Sequence, residues 1–429
     1  MPKINPFKPN QPVPSGMFAG RIEEINALIQ GLHQTSHGKC ANFLITGERG
    51  IGKSSLMRLI VPMAKGEITT FDEHRFNFVT ISTAISDKMN LNTFIKLIQR
   101  NLKRELKHVE KMRSFMDETW DFLQRVKVMD SGVDSKEKED EIDLVVDEFS
   151  YSLSETCNRL VSLEDKNHRK DGIVFFVDEA DNATDKLHLG YFFKAVTEQL
   201  LTYNCTNVMF ILAGLPETVE RLHSSHESSV RIFTPLHVKE LAPVDRSRVI
   251  DMGLAEGNKI NEEQTSINNS AKGMISTLSE GYPHYIQQFA FSAFEYNSDG
   301  EISIEDVSNG AFNDGGALDA IGQRYYQKAF HERIQSDEYR EVLTIMAENL
   351  NSWIKKSDIR QEFSGSDQTL TDALSAMTQR KIILKNPSIK GEYRLQNKGF
   401  ALWIKLFGER GKKYKTKVKI TESPINQDV

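Results

Sequence analysis

The chain has 429 residues, of which 39% are hydrophobic and 27% charged, and a formal net charge of −6. Such a length is too great for one compact core and predicts about two to four domains, and the composition predicts a soluble globular protein rather than a disordered one. The charge is uneven, because the stretch from Arg340 to the end contains 17 basic and 10 acidic residues, whereas the rest is acidic. A basic C-terminal part suits an anionic partner, and the alternative is a solvated surface.

Neither a signal peptide nor a membrane span is expected. Met1 to Gly16 is rich in Pro and Asn without an apolar core, and no apolar stretch approaches the ~18 residues of a membrane helix. Cys40, Cys157 and Cys205 are far apart in the sequence and lack the spacing of a metal site. We therefore expect reduced thiols in a cytoplasmic protein without membrane contact.

In chain order, the first elements alternate between helix and strand. Residues 1–16 predict an extended arm, and Arg21 to Leu32 an amphipathic helix. Ala41 to Thr46 is a short apolar strand, Ser55 to Met63 a helix, and Phe76 to Ser82 the next strand. This series predicts a parallel sheet with crossover helices, and hence an α/β fold.

The middle of the chain contains a long helical insertion and two buried strands. Residues 85–165 are mostly helical, and the acid-rich stretch from Asp130 to Asp147 predicts a loop or a solvated helix start. Ile173 to Val177 and Val208 to Ala213 are fully apolar, as strands covered on both faces are. From Val244 to Arg333 the pattern becomes helical and predicts a separate small domain.

The C-terminal part has the layout of a winged helix. Residues 341–350, 356–363 and 367–380 predict helices, and 382–385 and 392–395 predict a hairpin. The predicted organisation is an arm at 1–16, an α/β domain at 17–243 with an insertion at 85–165, a helical domain at 244–333, a winged helix at 334–407 and a basic tail at 408–429.

Residues 47–54, G-E-R-G-I-G-K-S, match the phosphate-loop pattern G-x-x-x-x-G-K-[ST]. Its glycines let the backbone pass close to phosphates, and successive N–H groups can then point inward. Lys53 would contact the β- and γ-phosphates as a catalytic cation, and the Ser54 hydroxyl would bind Mg²⁺. A chance match is the alternative. The expected phosphate-site residues are Gly47, Arg49, Gly50, Ile51, Gly52, Lys53, Ser54 and Ser55.

Two carboxylates close the apolar strand that ends at Val177. Asp178 is expected to hold Mg²⁺, and Glu179 to orient and deprotonate the attacking water. The alternative is an ordinary strand-to-loop transition, where acids are common. Asp181 and Asp185 are interpreted as capping or surface residues.

With these two motifs the sequence resembles the AAA+ ATPases. Within them it resembles the branch of origin-recognition and helicase-loader ATPases, archaeal-type ATPases and transposition regulators, over most of residues 14–405. The resemblance implies a P-loop NTPase core with a parallel sheet, followed by a helical lid domain and a C-terminal winged-helix domain. It also implies ATP and Mg²⁺ as cofactors.

Further segments are similar to conserved parts of that family. F-A-G-R-I-E-E at 18–24 looks like the segment along the adenine, which implies contacts from Phe18, Ala19 and Gly20. The alternative is a helix start with an Arg–Glu surface pair. G-Y-P-H at 281–284 looks like the lid turn, which implies that Pro283 and His284 approach the nucleotide.

An arginine finger is implied by V-R-I-F at 230–233. Arg231 would complete the site of a neighbouring subunit as a catalytic residue. Arg221 is the second candidate, and a surface salt bridge is the other interpretation of Arg231.

The sequence departs from the family at two sensor positions. The segment 210–217 resembles the fourth core strand, but Ala213 and Gly214 stand where a polar residue is usual, and His284 stands where the lid often has Arg. These departures imply slow hydrolysis.

The expected function is an ATP-hydrolysing molecular switch that binds ATP and ADP and self-associates. It would bind DNA, or a protein partner, through the winged helix. The alternatives are a regulatory or defence-type ATPase that gates a separate effector protein through residues 85–165, and a nucleotide-bound scaffold with negligible turnover.

DNA would be contacted by the third helix of the winged helix, Asp367 to Arg380. Asp367 and Asp372 on that helix favour the alternative, a protein–protein winged helix. The expected contacts on the helix are Gln368, Thr371, Gln379 and Arg380. Near the wing they are Lys381, Lys385, Lys390 and Arg394, with the tail lysines of 412–419 adding salt-dependent affinity.

Overall fold

The computed structural model describes residues 3–11, 18–70, 72–107, 120, 135–165, 168–327, 330–331, 334, 336–349, 353–380, 382–386, 389–396 and 398–408, with the backbone alone at 135–141 and 398. The chain divides into two compact units. The P-loop unit is Pro12–Lys239, and the helical unit consists of Met1–Gln11 with Glu240–Val429. The expectations for residues 12–17, 108–119, 121–134, Lys381 and the tail from 409 onward lie outside the described residues.

A five-stranded parallel sheet organises the P-loop unit. Its strands are β1 Asn42–Thr46, β2 Val79–Ala84, β3 Ile173–Asp178, β4 Val208–Gly214 and β5 Phe233–His237, in the order β2-β3-β4-β1-β5. Leu44 of β1 lies between Leu212 of β4 and Pro235 of β5, and the proline is tolerated because β5 is an edge strand. Since all strands run in one direction, the loop after β1 and the acidic end of β3 leave the sheet at the same edge.

Helices accompany the sheet of the P-loop unit. In the described residues they are α1 Ile22–Ser36, α2 Lys53–Lys65, α3 Leu91–Glu105, α4 Ser135–Val161, α5 Leu189–Thr202 and α6 Thr218–Ser225. Short 3-10 turns occupy Ala180–Asn182, Asp185–Leu187 and Ser229–Ile232.

The insertion between β2 and β3 belongs to the core of this unit. Phe94 of α3 and Phe149 of α4 contact Phe192 of α5, with ring centroids 5.6 and 5.2 Å apart. Phe193 in turn contacts Phe210 of β4 at 5.2 Å. All five rings are buried, so α3 and α4 are joined to the sheet by a continuous aromatic layer.

Several boundaries differ from the sequence prediction, and the acid-rich stretch adopts the second of its two predicted states, a helix start. Helix α2 begins at Lys53, directly on the phosphate loop, because Gly52 caps it in the left-handed conformation. Strand β2 begins at Val79, because the Phe78 N–H bonds the Ala64 carbonyl (2.9 Å) before the chain joins the sheet. The acid-rich stretch is helical from Ser135 onward.

The helical unit begins directly after β5 and its following loop. Its first elements are α7 Pro243–Ile260, α8 Asn269–Leu278, α9 Pro283–Tyr296, α10 Ile304–Phe312, α11 Ala317–Ile321 and a π-helical turn at Gly322–Tyr326, with a two-stranded pair of β6 Ser266–Ile267 and β7 Glu301–Ile302. Prolines at the first position of α7 and α9 start both helices, because a missing N–H is harmless there.

The N-terminal arm, residues 3–11, packs on α7 and α9. Phe7 is 1% exposed, and a Cβ at Gly253 would lie 2.4 Å from its ring. The Lys8 N–H donates to Gln287 Oε1 at 2.9 Å. The arm is therefore part of the core of the helical unit, although it precedes the P-loop unit in the sequence.

The end of the helical unit contains helices around a small antiparallel sheet. Its elements are α12 Asp337–Ala347, β8 Ile354–Lys355, α13 Lys356–Glu362, α14 Asp367–Gln379, β9 Ile383–Lys385, β10 Glu392–Leu395 and α15 Lys398–Phe407. The sheet order is β8-β10-β9, with both pairs antiparallel. The sequence predicts the helices α12 to α14 and the β9–β10 hairpin, but neither β8 nor α15.

Across the part of the chain that the structure describes, no helix combines the length and the apolar character needed to span a bilayer.

Candidate functional site

The loop between β1 and α2 is shaped by its glycines. Gly50 and Gly52 have φ of 81° and 103°, in the region that side chains disfavour. Gly47 is packed so closely that a Cβ would lie 2.6 Å from the Val238 carbonyl oxygen. Because the strand enters this loop fully buried and the helix starts immediately after it, the free N–H groups at the start of α2 border the loop. The backbone is therefore suited to bind an anion.

Lys53, the first residue of α2, folds back over this loop. Its ammonium group donates to the carbonyl oxygens of Gly47 at 2.7 Å and Glu48 at 3.0 Å. Burial lowers the pKa of Lys53, and the carboxylates of Asp178, Asp181 and Glu48 oppose that shift. Two carbonyl oxygens of the phosphate loop thus hold the Lys53 ammonium group against that loop.

Ser54 and Asp178 meet at the edge of the sheet. The Ser54 hydroxyl donates to Asp178 Oδ2 at 2.6 Å, and the Glu179 N–H donates to Asp178 Oδ1 at 2.8 Å. No group of three or more His, Cys, Asp or Glu side chains in the described residues could enclose a metal ion by itself. This donor set fits Mg²⁺, which typically takes one or two protein oxygens and completes its shell with phosphate oxygens and water.

Glu179 has a strained backbone and an exposed side chain. Its φ of 56° places a non-glycine residue in the left-handed region, at a cost of about 1–2 kcal/mol. The Asn182 amide donates to Glu179 Oε2 at 3.3 Å and to the Ile85 carbonyl at 3.2 Å. Asn182 therefore ties the Glu179 carboxylate to the segment after β2. The sequence analysis did not single out Asn182, and no motif signals it.

Asp181 has a structural position. Its Oδ1 accepts a hydrogen bond from the Leu215 N–H at 3.0 Å, which agrees with its interpretation as a capping residue. Gly214 is pressed against the same place, because a Cβ there would lie 2.1 Å from Thr218 Oγ1 and 3.2 Å from Asp181 Oδ1. The end of β4 therefore has no room for a polar side chain at Gly214. Asp185 is exposed.

Arg21 fixes the segment that precedes α1 to the phosphate loop. Its side chain is only 7% exposed, and Nη2 donates to the Ile51 carbonyl at 3.1 Å. Nη1 lies 3.7 Å from Glu24 Oε1. The Arg–Glu pair at the helix start is therefore present, but the arginine side chain is buried and bonded to the loop rather than lying on the surface. Arg21 was not among the predicted site residues, although its position in the 18–24 motif could have indicated it.

The three residues of that motif that precede Arg21 are buried or half-buried. Ala19 is 7% exposed, and Phe18 and Gly20 are half-buried. These residues belong to the P-loop unit, as the resemblance implies.

The two arginine-finger candidates differ in their surroundings. Arg221 Nη1 donates to the Ala183 carbonyl at 2.6 Å, so this side chain is held within its own unit. Arg231 is exposed in a 3-10 turn, and within the described residues its side chain has no ion-pair or hydrogen-bond partner. A surface salt bridge is therefore absent at Arg231 in that part of the chain.

Pro283 and His284 begin α9 and belong to the helical unit. His284 Nε2 lies 3.4 Å from Arg324 Nη1. Burial first, and the Arg324 cation second, lower the pKa of His284 to about 4, so the ring is neutral at pH 7. Arg324 also contacts Asn10 of the arm. His284 thus marks the place where the arm and α9 meet.

The phosphate loop, the acidic end of β3 and the parallel sheet define a P-loop NTPase. Residues 17–209 match the family model of the AAA ATPase domain, and the protein thus carries an AAA ATPase domain within an AAA+ fold. No curated protein matches the sequence.

Solved structures resemble the chain at low sequence identity. The ORC2 protein of Aeropyrum pernix, in ADPNP–ADP complexes, is 13% identical and has a TM-score of 0.54 over 97% of this chain and 99% of that one. The ORC1 protein of the same organism in complex with DNA is 13% identical, with a TM-score of 0.41 over 93% and 94%. Cdc6p of Pyrobaculum aerophilum is 12% identical, with a TM-score of 0.41 over 95% and 98%. The first of these supports a shared AAA+ fold.

Proposed function

We propose that this protein is a Mg²⁺-dependent ATPase that acts as a nucleotide-controlled switch. The observation that carries the proposal is the 2.6 Å contact between Ser54 at the start of α2 and Asp178 at the end of β3. These two oxygen ligands come from separate elements and meet beside a glycine-shaped anion site. If the Ser54–Asp178 hydrogen bond were purely structural, it would not require a phosphate loop beside Ser54 or a strained Glu179 beside Asp178.

Each side chain of the site has a distinct task in this proposal. The loop N–H groups and Lys53 bind the phosphates, and Ser54 and Asp178 hold Mg²⁺. When bound, Mg²⁺ neutralises charge that develops on the β- and γ-phosphate oxygens. Glu179 orients a water molecule and accepts its proton. The residues Phe18, Ala19 and Gly20 would lie along the adenine.

The test compares two substitutions at the site. Lys53→Ala is expected to abolish ATP binding, because the loop loses its only lysine side chain. Glu179→Gln is expected to bind ATP as wild type does but to lose hydrolysis, because an amide cannot accept the proton. Asp185→Asn, an exposed acid nearby, is the matched control and should leave both unchanged. Full phosphate release by Glu179→Gln would end the general-base assignment.

If the protein self-associates, Arg231 of one copy would complete the nucleotide site of the neighbouring copy. This side chain is exposed and, among described residues, without a partner, whereas Arg221 is bonded to Ala183. Arg231→Ala should therefore retain ATP binding and lose ATPase activity at protein concentrations where the wild type assembles. Arg231→Ala with wild-type activity under those conditions would remove Arg231 as the finger.

We further propose that the elements from α12 to α15 form a winged helix that binds DNA through its hairpin. The exposed face of α14 is already occupied, because Lys356 Nζ donates to Thr371 Oγ1 at 2.7 Å and to Asp367 Oδ2 at 3.3 Å. Gln368 Nε2 likewise donates to Asp372 Oδ1 at 3.0 Å. The face expected to read bases is therefore acidic and internally bonded.

The hairpin side is basic and carries an aromatic ring. The Arg394 guanidinium lies 4.8 Å from the ring centroid of Trp353, an arrangement that holds the cation in place. Lys355, Lys385 and Lys390 are exposed around it. Basic groups on strands and turns suit contact with phosphates, and such contact is salt-dependent and sequence-independent.

The DNA test uses charge reversal on the hairpin and neutral truncation on the helix. Arg394→Glu with Lys390→Glu should weaken duplex binding at least tenfold at low salt, whereas Gln368→Ala should have little effect. The reverse pattern would favour the helix as the reader. Binding that fails in the wild type, with a protein partner co-purifying instead, would favour the regulatory ATPase.

A switch with slow turnover is the second candidate. It is favoured by Gly214, where the end of β4 has no room for a polar side chain. Steady phosphate release above that of Lys53→Ala would exclude a scaffold with no turnover.

A further inference from the structure

A groove of about 740 Å³ lies between the N-terminal arm and the helices of the helical unit. One wall is the arm, residues 5–11, and the other includes Gln288 and Phe291 of α9 with Gln323 and Arg324 of the π-helical turn. All of these residues belong to the same compact unit. The volume falls within the range of about 300–1,000 Å³ that is typical of small-molecule sites. The proposed ATPase mechanism gives this groove no role.

The wall formed by the arm is fixed before any ligand arrives. Phe7 is buried, and the Lys8 N–H donates to Gln287 Oε1 at 2.9 Å. Asn5 Nδ2 donates to Glu295 Oε1 at 2.7 Å, so the nearby carboxylate is already hydrogen-bonded, and Glu295 does not line the groove. A preformed wall lowers the entropy cost of binding, because no segment has to be ordered by the ligand.

Arg324 is oriented by neutral groups. Its Nη1 lies 3.4 Å from His284 Nε2, and its Nη2 donates to Asn10 Oδ1. His284 is neutral at pH 7 because burial lowers its pKa to about 4, so neither contact cancels the guanidinium charge. Within the part of the chain that the structure describes, neither Arg324 nor Lys8 has a carboxylate partner. Arg324 also lies in a π-helical turn, a rare geometry that occurs frequently at functional sites.

Free amide groups line the groove beside these two cations. The side chains of Gln11, Gln288 and Gln323 have no hydrogen-bond partner among the described residues. Each amide can both donate and accept, so it can bond a hydroxyl group of a ligand in either direction. Asp and Glu are absent from the described residues that line the groove. The groove therefore combines positive charge with neutral hydrogen-bonding groups.

We propose that this groove binds a small organic phosphate, with the phosphate group on Arg324 and Lys8 and the hydroxyl groups of the ligand on the three glutamines. A phosphate monoester carries a charge of about −1.5 to −2 at pH 7, which two cations can balance. The planar guanidinium matches two phosphate oxygens at once, whereas lysine contributes a point charge. The site is separate from the phosphate loop, because every lining residue belongs to the helical unit, so the proposal does not depend on ATP hydrolysis.

The experiment is equilibrium dialysis of the full-length Lys53→Ala protein against radiolabelled ribose 5-phosphate, with the phosphate loop disabled. Saturable binding of one molecule per chain is expected, with competition by inorganic phosphate, weaker competition by succinate and none by ribose. Adding Arg324→Gln should raise the Kd about tenfold or more, because charged hydrogen bonds are lost, and Lys8→Gln should raise it less. Arg248→Gln is the matched control, an exposed arginine of α7 outside the groove, and should leave the Kd unchanged.

Three results would overturn the proposal. The first is no saturable binding of ribose 5-phosphate at millimolar concentration, and the second is competition by succinate that equals that of inorganic phosphate. The third is the same Kd for Arg324→Gln as for Arg248→Gln. If Arg324→Gln fails to fold, Arg324→Lys decides instead, because it keeps the charge but loses the planar fork and should give an intermediate Kd. A wild-type Kd for Arg324→Lys together with one for Lys8→Gln would contradict the assigned phosphate contacts.

Discussion

Asn182→Ala tests whether the strained turn after β3 positions Glu179 for catalysis. Asn182 would not touch the phosphates or Mg²⁺ in the proposed function. Its amide links Glu179 Oε2, at 3.3 Å, to the Ile85 carbonyl, at 3.2 Å. The substitution removes both hydrogen bonds and leaves the phosphate loop unchanged.

The expected magnitude follows from the geometry. A hydrogen bond to a charged group contributes up to about 3 kcal/mol, but a 3.3 Å bond to an exposed carboxylate belongs at the lower end, about 1 kcal/mol. If that free energy holds Glu179 in its reactive orientation, kcat should fall about fivefold. The KM for ATP should stay within about twofold of wild type, because ground-state binding is not altered.

Steady-state phosphate release over a range of ATP concentrations measures both quantities. Asp185→Asn is the control, since this acid is exposed in the next turn of the same segment. Asn182→Gln should restore part of kcat, because the longer amide can still donate. An unchanged kcat, or a loss expressed only in KM, would refute the positioning role.

Three other perturbations have definite expected outcomes. Phe7→Ala should lower the free energy of unfolding of the helical unit by about 3 kcal/mol, measured by urea denaturation, whereas Lys8→Ala on the same arm should change it little; equal effects would contradict the conclusion that burial of Phe7 anchors the arm. Gly214→Ser should destabilise the protein by more than about 1 kcal/mol in thermal unfolding rather than speed hydrolysis, because its Cβ would lie 2.1 Å from Thr218 Oγ1. The pKa of His284 is lowered to about 4. Its contribution to the free energy of unfolding should therefore be fully present above about pH 6.5 and should decline towards pH 4, because the unfolded state takes up the proton first. The Tm of His284→Gln should fall less than that of wild type over this range, and identical slopes would contradict the assignment.

The sequence predicted the α/β core well, and its errors have a local physical cause. The strands β1, β3 and β4 are buried on every residue or nearly so, and such apolar runs are visible without tertiary information. The start of β2 was misplaced because Phe76 and Phe78 are as buried as strand residues but lie before the sheet. Burial gives a residue the same apolar character whether or not its backbone joins a ladder.

The candidate site was predicted in its chemistry but not in its supports. Gly47 to Ser54 and Asp178 are recognisable because phosphate and Mg²⁺ binding require particular residue types at fixed positions. Asn182 and Arg21 hold Glu179 and the loop in place through single hydrogen bonds. Many residue types could make such bonds, so no local pattern identifies them.

The sequence by itself determined the phosphate loop, the acidic strand end and the order of helices and strands, because each depends on neighbours within a few residues. Only the tertiary structure decided that Ser54 meets Asp178 across 124 residues, that the N-terminal arm is buried on the helical unit, and that Cys157 and Cys205 enter the same buried core. These contacts depend on strand order and on which helix faces pack together. Packing of this kind is set by the free energy of the whole fold, and a short stretch of sequence does not encode it.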